Sequence, residues 1–157
     1  MRGYHAIGLC MPKTDANVGS VLRAAFAFGT AFVATTGRRY KPSFTDTIKG
    51  VRHLPLLHTA DLRAVIPFDC VPVAVELCEG ALPLAKYVHP ERAFYVFGPE
   101  DGSVPPSVLA WCRDVVYIPT RTCLNLAACV NVVLYDRASK RDECPATEIL
   151  RRETAAL

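Results

Sequence analysis

Short runs of apolar, β-branched and aromatic residues alternate along this chain with segments of helical length. Tyr4 to Cys10, YHAIGLC, predicts a strand, and the loop MPKTDANVGS follows with its Pro and Gly punctuation. From Asn17, a good N-cap residue, Val18, Val21, Leu22, Ala25, Phe26 and Phe28 build an apolar face. Gly29 is a suitable stop, so a helix is predicted between them. AFVATTG is the next predicted strand, and the polar, basic stretch GRRYKPSFTDTIKGVRH is irregular. Beyond it, DLRAVIPF and LPLAKYV predict short helices, and PVAVEL, AFYVFG and DVVYIP predict strands. Pro105 to Cys112 predicts a helix that tolerates proline in its first turn. In IPTRTCLNLAACVNVVLYDR a polar loop enters a helix that reads as apolar on every side, and a polar tail follows from about Ala138. The alternation predicts an α/β fold with a mostly parallel sheet, in one domain over residues 1–157.

Composition sharpens this picture. Hydrophobic residues make up 51% of the chain and charged ones 21%, enough apolar surface for one core with some left to bury in a partner. The net charge of +3 is compatible with a polyanionic ligand. No stretch approaches the roughly 20 apolar residues that cross a bilayer, and the N-terminus lacks a signal-peptide pattern, so a cytoplasmic protein is expected. Seven cysteines without a CxxC pair read as reduced thiols, mostly small core residues, and no zinc-ligand spacing calls for a metal.

Four stretches carry candidate chemistry. Asn17 to Gly29 contains Arg23, which is either a snorkelling surface cation or a site residue. YVFGPEDGSVP ends an apolar strand in a turn rich in Gly, Pro and acids, at the sheet edge where open α/β folds bind ligands. Neither GxGxxG after the first strand nor GxxxxGK[ST] is present, so dinucleotide and P-loop readings lack their phosphate cradle. Arg121, Thr122, Cys123 and Asn125 precede a helix N-terminus suited to a polar ligand, with Thr122 or Asn125 available as its cap. Cys123 as a nucleophile would need a base, and no histidine lies near it in sequence. Finally, Arg38, Arg39, Lys41, Lys49 and Arg52 interleave with Tyr40 and Phe44, a pattern suited to phosphate contact and base stacking on RNA.

In this order the motifs resemble the SpoU/TrmH branch of the SPOUT RNA methyltransferases. Asn17, Gly19, Arg23, Phe28 and Gly29 match the family's first motif, and Gly98, Pro99 and Glu100 match its second. Ile118, Pro119, Leu124 and Asn125 match the third, with Cys123 where the family has Ser. The resemblance runs from Tyr4 to Arg137 and implies a SPOUT-type α/β knot with helices on both faces of the sheet, a C-terminal trefoil knot and a homodimer. It implies S-adenosylmethionine as cofactor, held by the loops at Leu77 to Gly80, Phe97 to Gly102 and Ile118 to Leu126. Leu77, Cys78, Phe97, Gly98, Pro99, Glu100, Gly102, Ile118, Pro119, Cys123, Leu124 and Leu126 are the residues expected to contact it. Arg23, Asn17, Glu100 and Asn125 are the catalytic set implied, with Arg23 as general base or as positioner of phosphate and hydroxyl; a guanidinium holds its proton in almost any site. The implied reaction is 2′-O-methylation of ribose, most resembling the minimal enzymes acting on the tRNA wobble position. Arg121 and the basic 38–53 segment would contact RNA. Methylation of rRNA and a non-catalytic RNA-binding role on the same scaffold are the alternatives.

Overall fold

Strands β1 (Tyr4–Leu9) and β6 (Arg92–Phe97) lie side by side in a seven-stranded sheet of order β3-β2-β1-β6-β4-β7-β5. The computed structural model describes residues 3–37 and 54–141. The other strands are β2 (Val33–Thr35), β3 (Leu56–His58), β4 (Val71–Val75), β5 (Leu82–Pro83) and β7 (Asp114–Tyr117), and every pairing is parallel. Helices α1 (Asp15–Ala27), α2 (Pro106–Leu109) and α3 (Leu126–Lys140) complete the described elements, together with 3-10 turns at Leu62–Val65 and Leu84–Lys86.

Strand alternation sorts the core into two layers. Ile7, Leu9, Tyr95, Phe97, Val73 and Val116 point to the face covered by α1 and α3, where they meet Val21, Leu22, Val130 and Leu134. Ala6, Cys10, Phe94 and Val96 point to the other face, against Leu62, Val104, Val108 and Trp111. Gly8 belongs to this second layer, and a Cβ there would sit 2.9 Å from the Phe94 ring and 3.0 Å from Leu62 Cδ1. Strands buried on both sides explain why β1 and β6 read as nearly continuous apolar runs.

Several predicted boundaries move. Helix α1 begins at Asp15, two residues before the expected cap. Thr14 takes the N-cap position, its side chain accepting from Asn17 N. The C-terminal end is as expected: Gly29 N donates to Phe26 O, Thr30 N to Ala25 O, and Gly29 takes the φ of +70° that such a stop requires. The two short helices expected at DLRAVIPF and LPLAKYV are single 3-10 turns, and Leu82–Pro83 instead adds an edge strand, where a proline costs no ladder bond. The helix expected over Pro105 to Cys112 contracts to α2, and β3 is an edge strand with no counterpart among the predicted elements. Helix α3 continues past Ala138 to Lys140 because Arg137 and Ala138 are buried. The outward face of α3 is mixed: Asn131, Ser139 and Lys140 are exposed there together with the apolar Val132 and Tyr135.

Arg137 is the largest fully buried side chain, and a polar chain engages both of its Nη groups. Its Nη1 donates to Pro90 O at 2.7 Å and to Tyr95 Oη at 3.2 Å, and its Nη2 to Glu91 O at 2.8 Å. Because Tyr95 Oη accepts there, its hydroxyl proton points to His89 Nδ1, 2.6 Å away, and His89 Nε2–H donates to Asp136 at 2.8 Å. This donor order assigns a neutral His89 protonated on Nε2. Burial lowers its pKa, as do Arg137 and Lys140, against the opposing pull of Asp136. The network ties the last turns of α3 to the entry of β6.

Candidate functional site

Strands β4, β6 and β7 are neighbours, and the chain leaves the C-terminal ends of all three into one cleft of about 640 Å³. Its walls are Val75 to Leu77, Phe97 to Ser103, and Tyr117 to Leu124 with Leu126 and Cys129. An open parallel sheet leaves its strand ends and their loop amides free at this edge, the usual place for a ligand. Phe97, Ile118, Leu124 and Leu126 give the cleft an apolar side, and Glu76, Glu100 and Asp101 give it an acidic one.

The loop after β6 returns to its own start. A Cβ on Gly98 would lie 2.8 Å from Val104 N, so only glycine fits at that approach. Midway along the loop, Glu100 is pinned to the start of α1. Its Oε1 accepts from Asn17 Nδ2 at 2.7 Å and from Thr14 N and Oγ1, both at 3.1 Å, and its Oε2 accepts from Lys13 N at 2.7 Å. Burial pushes this carboxyl up, but the bonds from Asn17, Lys13 and Thr14 outweigh it and hold the pKa below the ordinary value. With its lone pairs so occupied, Glu100 is an organising anion. It is not a base poised to take a proton. An exposed ion pair from Lys13 to Asp101, 3.4 Å, adds little.

Asn17 passes the connection on. Its Oδ1 accepts from Asn125 Nδ2 at 2.8 Å, and Asn125 Oδ1 caps α3 by accepting from Ala127 N at 2.9 Å. Three residues far apart in sequence thus form one chain, Glu100 to Asn17 to Asn125, joining two helix N-termini to the loop after β6.

The expected site residues are placed as follows. Leu77, Phe97, Gly98, Pro99, Glu100, Gly102, Ile118, Pro119, Cys123, Leu124 and Leu126 line the cleft, and Cys78 does not. Arg121 lines it and is exposed. Arg23 stands on the exposed face of α1 and is not part of the cleft wall. Arg38, Arg39, Lys41, Lys49 and Arg52 lie outside the described residues. Two residues that sequence reasoning passed over belong here: Glu76, whose carboxylate accepts from Val104 N, and Thr14. The cysteines are less uniform than expected. Cys10 and Cys70 are buried, Cys112 and Cys129 half-buried, and Cys78 and Cys123 exposed, all with free thiols. Burial pushes the Cys10 thiol up to about 11 and the Cys112 thiol up to about 12. Among the described residues no group of three or more His, Cys, Asp or Glu could hold a metal ion, and no helix is long and apolar enough to cross a membrane. A second cavity of about 490 Å³, lined by Lys86, Tyr87, His89, Lys140 and Arg141 among others, holds none of the motif residues.

Residues 5–135 match the SpoU rRNA Methylase family, and the chain belongs to it. Among solved structures it is similar to the SpoU methyltransferase AviRb from Streptomyces viridochromogenes, at 18% identity and a TM-score of 0.79 over 91% of this chain. A second likeness is to an rRNA methyltransferase from Sinorhizobium meliloti with AdoMet bound, at 19% identity and 0.76 over 88%. The chain spans 62% and 57% of those two chains. A third structure, described as giving insights into the 2-OH methylation of C/U34 on tRNA, shares 23% identity and a TM-score of 0.75, covering 89% of this chain and 92% of its own. At these identities the likeness is one of fold. Curated protein sequences include no match to this chain.

Proposed function

We propose that this chain is an S-adenosylmethionine-dependent RNA methyltransferase that methylates a ribose 2′-hydroxyl of tRNA. The observation that carries the reading is the chain Glu100–Asn17–Asn125 at a cleft built from three parallel-strand ends. The cleft's residues fit the cofactor. Phe97, Ile118, Leu124 and Leu126 suit a purine, and the carboxylates of Glu76 and Asp101 suit a group bearing positive charge. When bound, S-adenosylmethionine supplies an electrophilic methyl on a sulfonium.

The protein's own contribution is then positioning. Glu100 locks the 98–104 loop to α1, and Asn125 sets the entry of α3 against Asn17. Arg23, as a fixed cation, is assigned to orient the acceptor ribose and its phosphate, and Arg121 at the cleft to contact RNA. The outward faces of α1 and α3 carry Phe26, Val132 and Tyr135, exposed by 48%, 38% and 66%, a surface that supports an isologous homodimer. We also infer the family's C-terminal trefoil knot, which the placement of β7 beside β4 and of β6 between β1 and β4 supports. A tRNA substrate is supported by the likeness to the structure concerned with the 2-OH methylation of C/U34 on tRNA, at 23% identity and a TM-score of 0.75.

Calorimetry with S-adenosylmethionine, followed by mass spectrometry of nucleosides from tRNA incubated with both, tests the reading. Binding with a new 2′-O-methylated nucleoside is expected. Arg23→Ala should lose methyl transfer and keep cofactor affinity. Absence of binding would leave the scaffold with an RNA-binding role alone.

A further inference from the structure

We propose that Glu76 is a positioning residue for the cofactor, a strut that joins all three segments of the cleft. Glu76 follows the last residue of β4, and its own N–H donates to Val116 O of β7 at 2.9 Å. Its side chain turns back over the site. Oε2 accepts from Val104 N at 2.6 Å, and Oε1 accepts from Leu77 N at 3.0 Å. One residue thereby fixes the chain leaving β4, the end of the loop that follows β6, and the strand that leads into the 118–124 loop.

The Val104 contact is the decisive one. Val104 is 1% exposed, and its amide lies where the loop closes on Gly98, so the distance between them sets the loop's width. A carboxylate acceptor makes a short, charge-assisted bond there. Glu100 pins the middle of the same loop to α1, so two carboxylates on opposite sides hold it. Glu76 also lines the cleft and places a negative charge in its wall. A ligand with a cationic centre gains from that charge, and a loop held at both points binds without first being ordered.

This inference rests on the proposed cofactor reading, and the test separates the two. Hydrogen exchange at the Val104 amide is measured in wild type, Glu76→Gln and Glu76→Asp without ligand, alongside calorimetry and steady-state kinetics with S-adenosylmethionine. Gln removes the charge and leaves one of two N–H groups facing an amide; Asp keeps the charge and loses the reach. Both should exchange Val104 about tenfold faster or more, a change that matches the loss of one hydrogen bond to a charged group. Both should weaken S-adenosylmethionine by about tenfold, with the change falling on KM more than on kcat. Unchanged Val104 exchange in both variants overturns the strut, whatever the cofactor does. Faster exchange with unchanged affinity overturns the positioning role. Wild type that fails to bind S-adenosylmethionine overturns the cofactor reading, and the exchange measurement still decides the strut.

Discussion

Asn125 Nδ2 donates to Asn17 Oδ1 at 2.8 Å, across 108 residues of sequence. Asn125 also caps α3 through its Oδ1, so one side chain serves stability with its oxygen and the site with its nitrogen. The two uses separate by mutation. Asn125→Ser keeps a capping oxygen and loses the bridge, whereas Asn125→Ala loses both. Ala should cost about 1 kcal/mol and lower Tm by roughly 2–4 °C, with Ser close to wild type. Both should slow single-turnover methyl transfer by about tenfold or more, since neither holds Asn17 against Glu100. A Ser variant with full transfer rate removes the bridge from the site.

The Glu100 carboxyl makes the acid side of the pH profile informative. Its folded pKa lies below the ordinary value of 4.5, so its contribution is complete above that value and fades only as pH falls through the lowered folded one. Asn17 supplies the leading bond that lowers it, against the opposing effect of burial. Asn17→Ala should therefore raise the Glu100 pKa, and the acid limb of S-adenosylmethionine affinity should move to higher pH. Affinity titrated from about pH 3 to 6 in both proteins checks this; coincident acid limbs would contradict it.

How much of this was legible in the chain follows from the range of the interactions. The motif residues could be named because their order and spacing resemble the family's three motifs; Asn17, Glu100 and Asn125 lie near a helix start or past a strand end, and Arg23 lies further along α1. Asn17 was expected to cap α1, and it fails to do so because Thr14 is the better-placed cap: the Thr14 hydroxyl donates to Glu100 while accepting from Asn17 N. Its amide is thereby released for the bridge. That outcome depends on a carboxylate 83 residues away, which no local pattern reveals. Glu76 was passed over for the same reason, a lone acid at the end of an apolar strand whose partner Val104 lies 28 residues on. Parallel pairing itself was readable from strand–helix alternation. The order that puts β6 between β1 and β4 was not, because it is set by long-range packing.

Gly8 tests the second core layer. A Cβ there meets two ring atoms of Phe94 at 2.9 Å and Leu62 Cδ1 at 3.0 Å, in a layer with little room to give. Gly8→Ala should cost about 1–3 kcal/mol by overpacking, read as a lower denaturation midpoint at unchanged m-value. Gly8 pairs with Val96, one residue before the cleft wall begins at Phe97, but its Cβ would meet Phe94 and Leu62, which do not line the cleft, so cofactor affinity at low temperature should hold. A neutral or stabilising substitution would show that the Phe94 ring yields freely.

Cys78 and Cys123 are both exposed, yet only Cys123 lines the cleft. Peptide-level mass spectrometry after brief maleimide treatment should find both modified ahead of Cys10 and Cys112, whose thiols burial raises to about 11 and about 12. Saturating S-adenosylmethionine should protect Cys123 and leave Cys78 labelled at its original rate. Equal protection of both, or of neither, would place the cofactor elsewhere.

His89 predicts how stability responds to mild acid. In the fold it is neutral, its Nδ1 accepting from Tyr95 and its Nε2–H donating to Asp136, with burial holding its pKa below the ordinary imidazole value of 6.5. Unfolded, the same ring titrates near that ordinary value. Between the two values the unfolded chain binds more protons than the folded one, so stability rises with pH across that window. The contribution is complete above about pH 6.5 and is lost as pH falls through the lowered folded value. Protonation in place would force Nδ1–H toward the Tyr95 oxygen, whose own proton then has to leave the line to His89 while Arg137 already donates to that oxygen, so the loss is felt in the packing of α3 on β6. Urea unfolding from about pH 5 to 8 should show this slope in the wild type and a flatter one in His89→Gln, which is less stable at neutral pH yet has no imidazole to protonate. An unchanged slope in the variant would move the titration to another histidine.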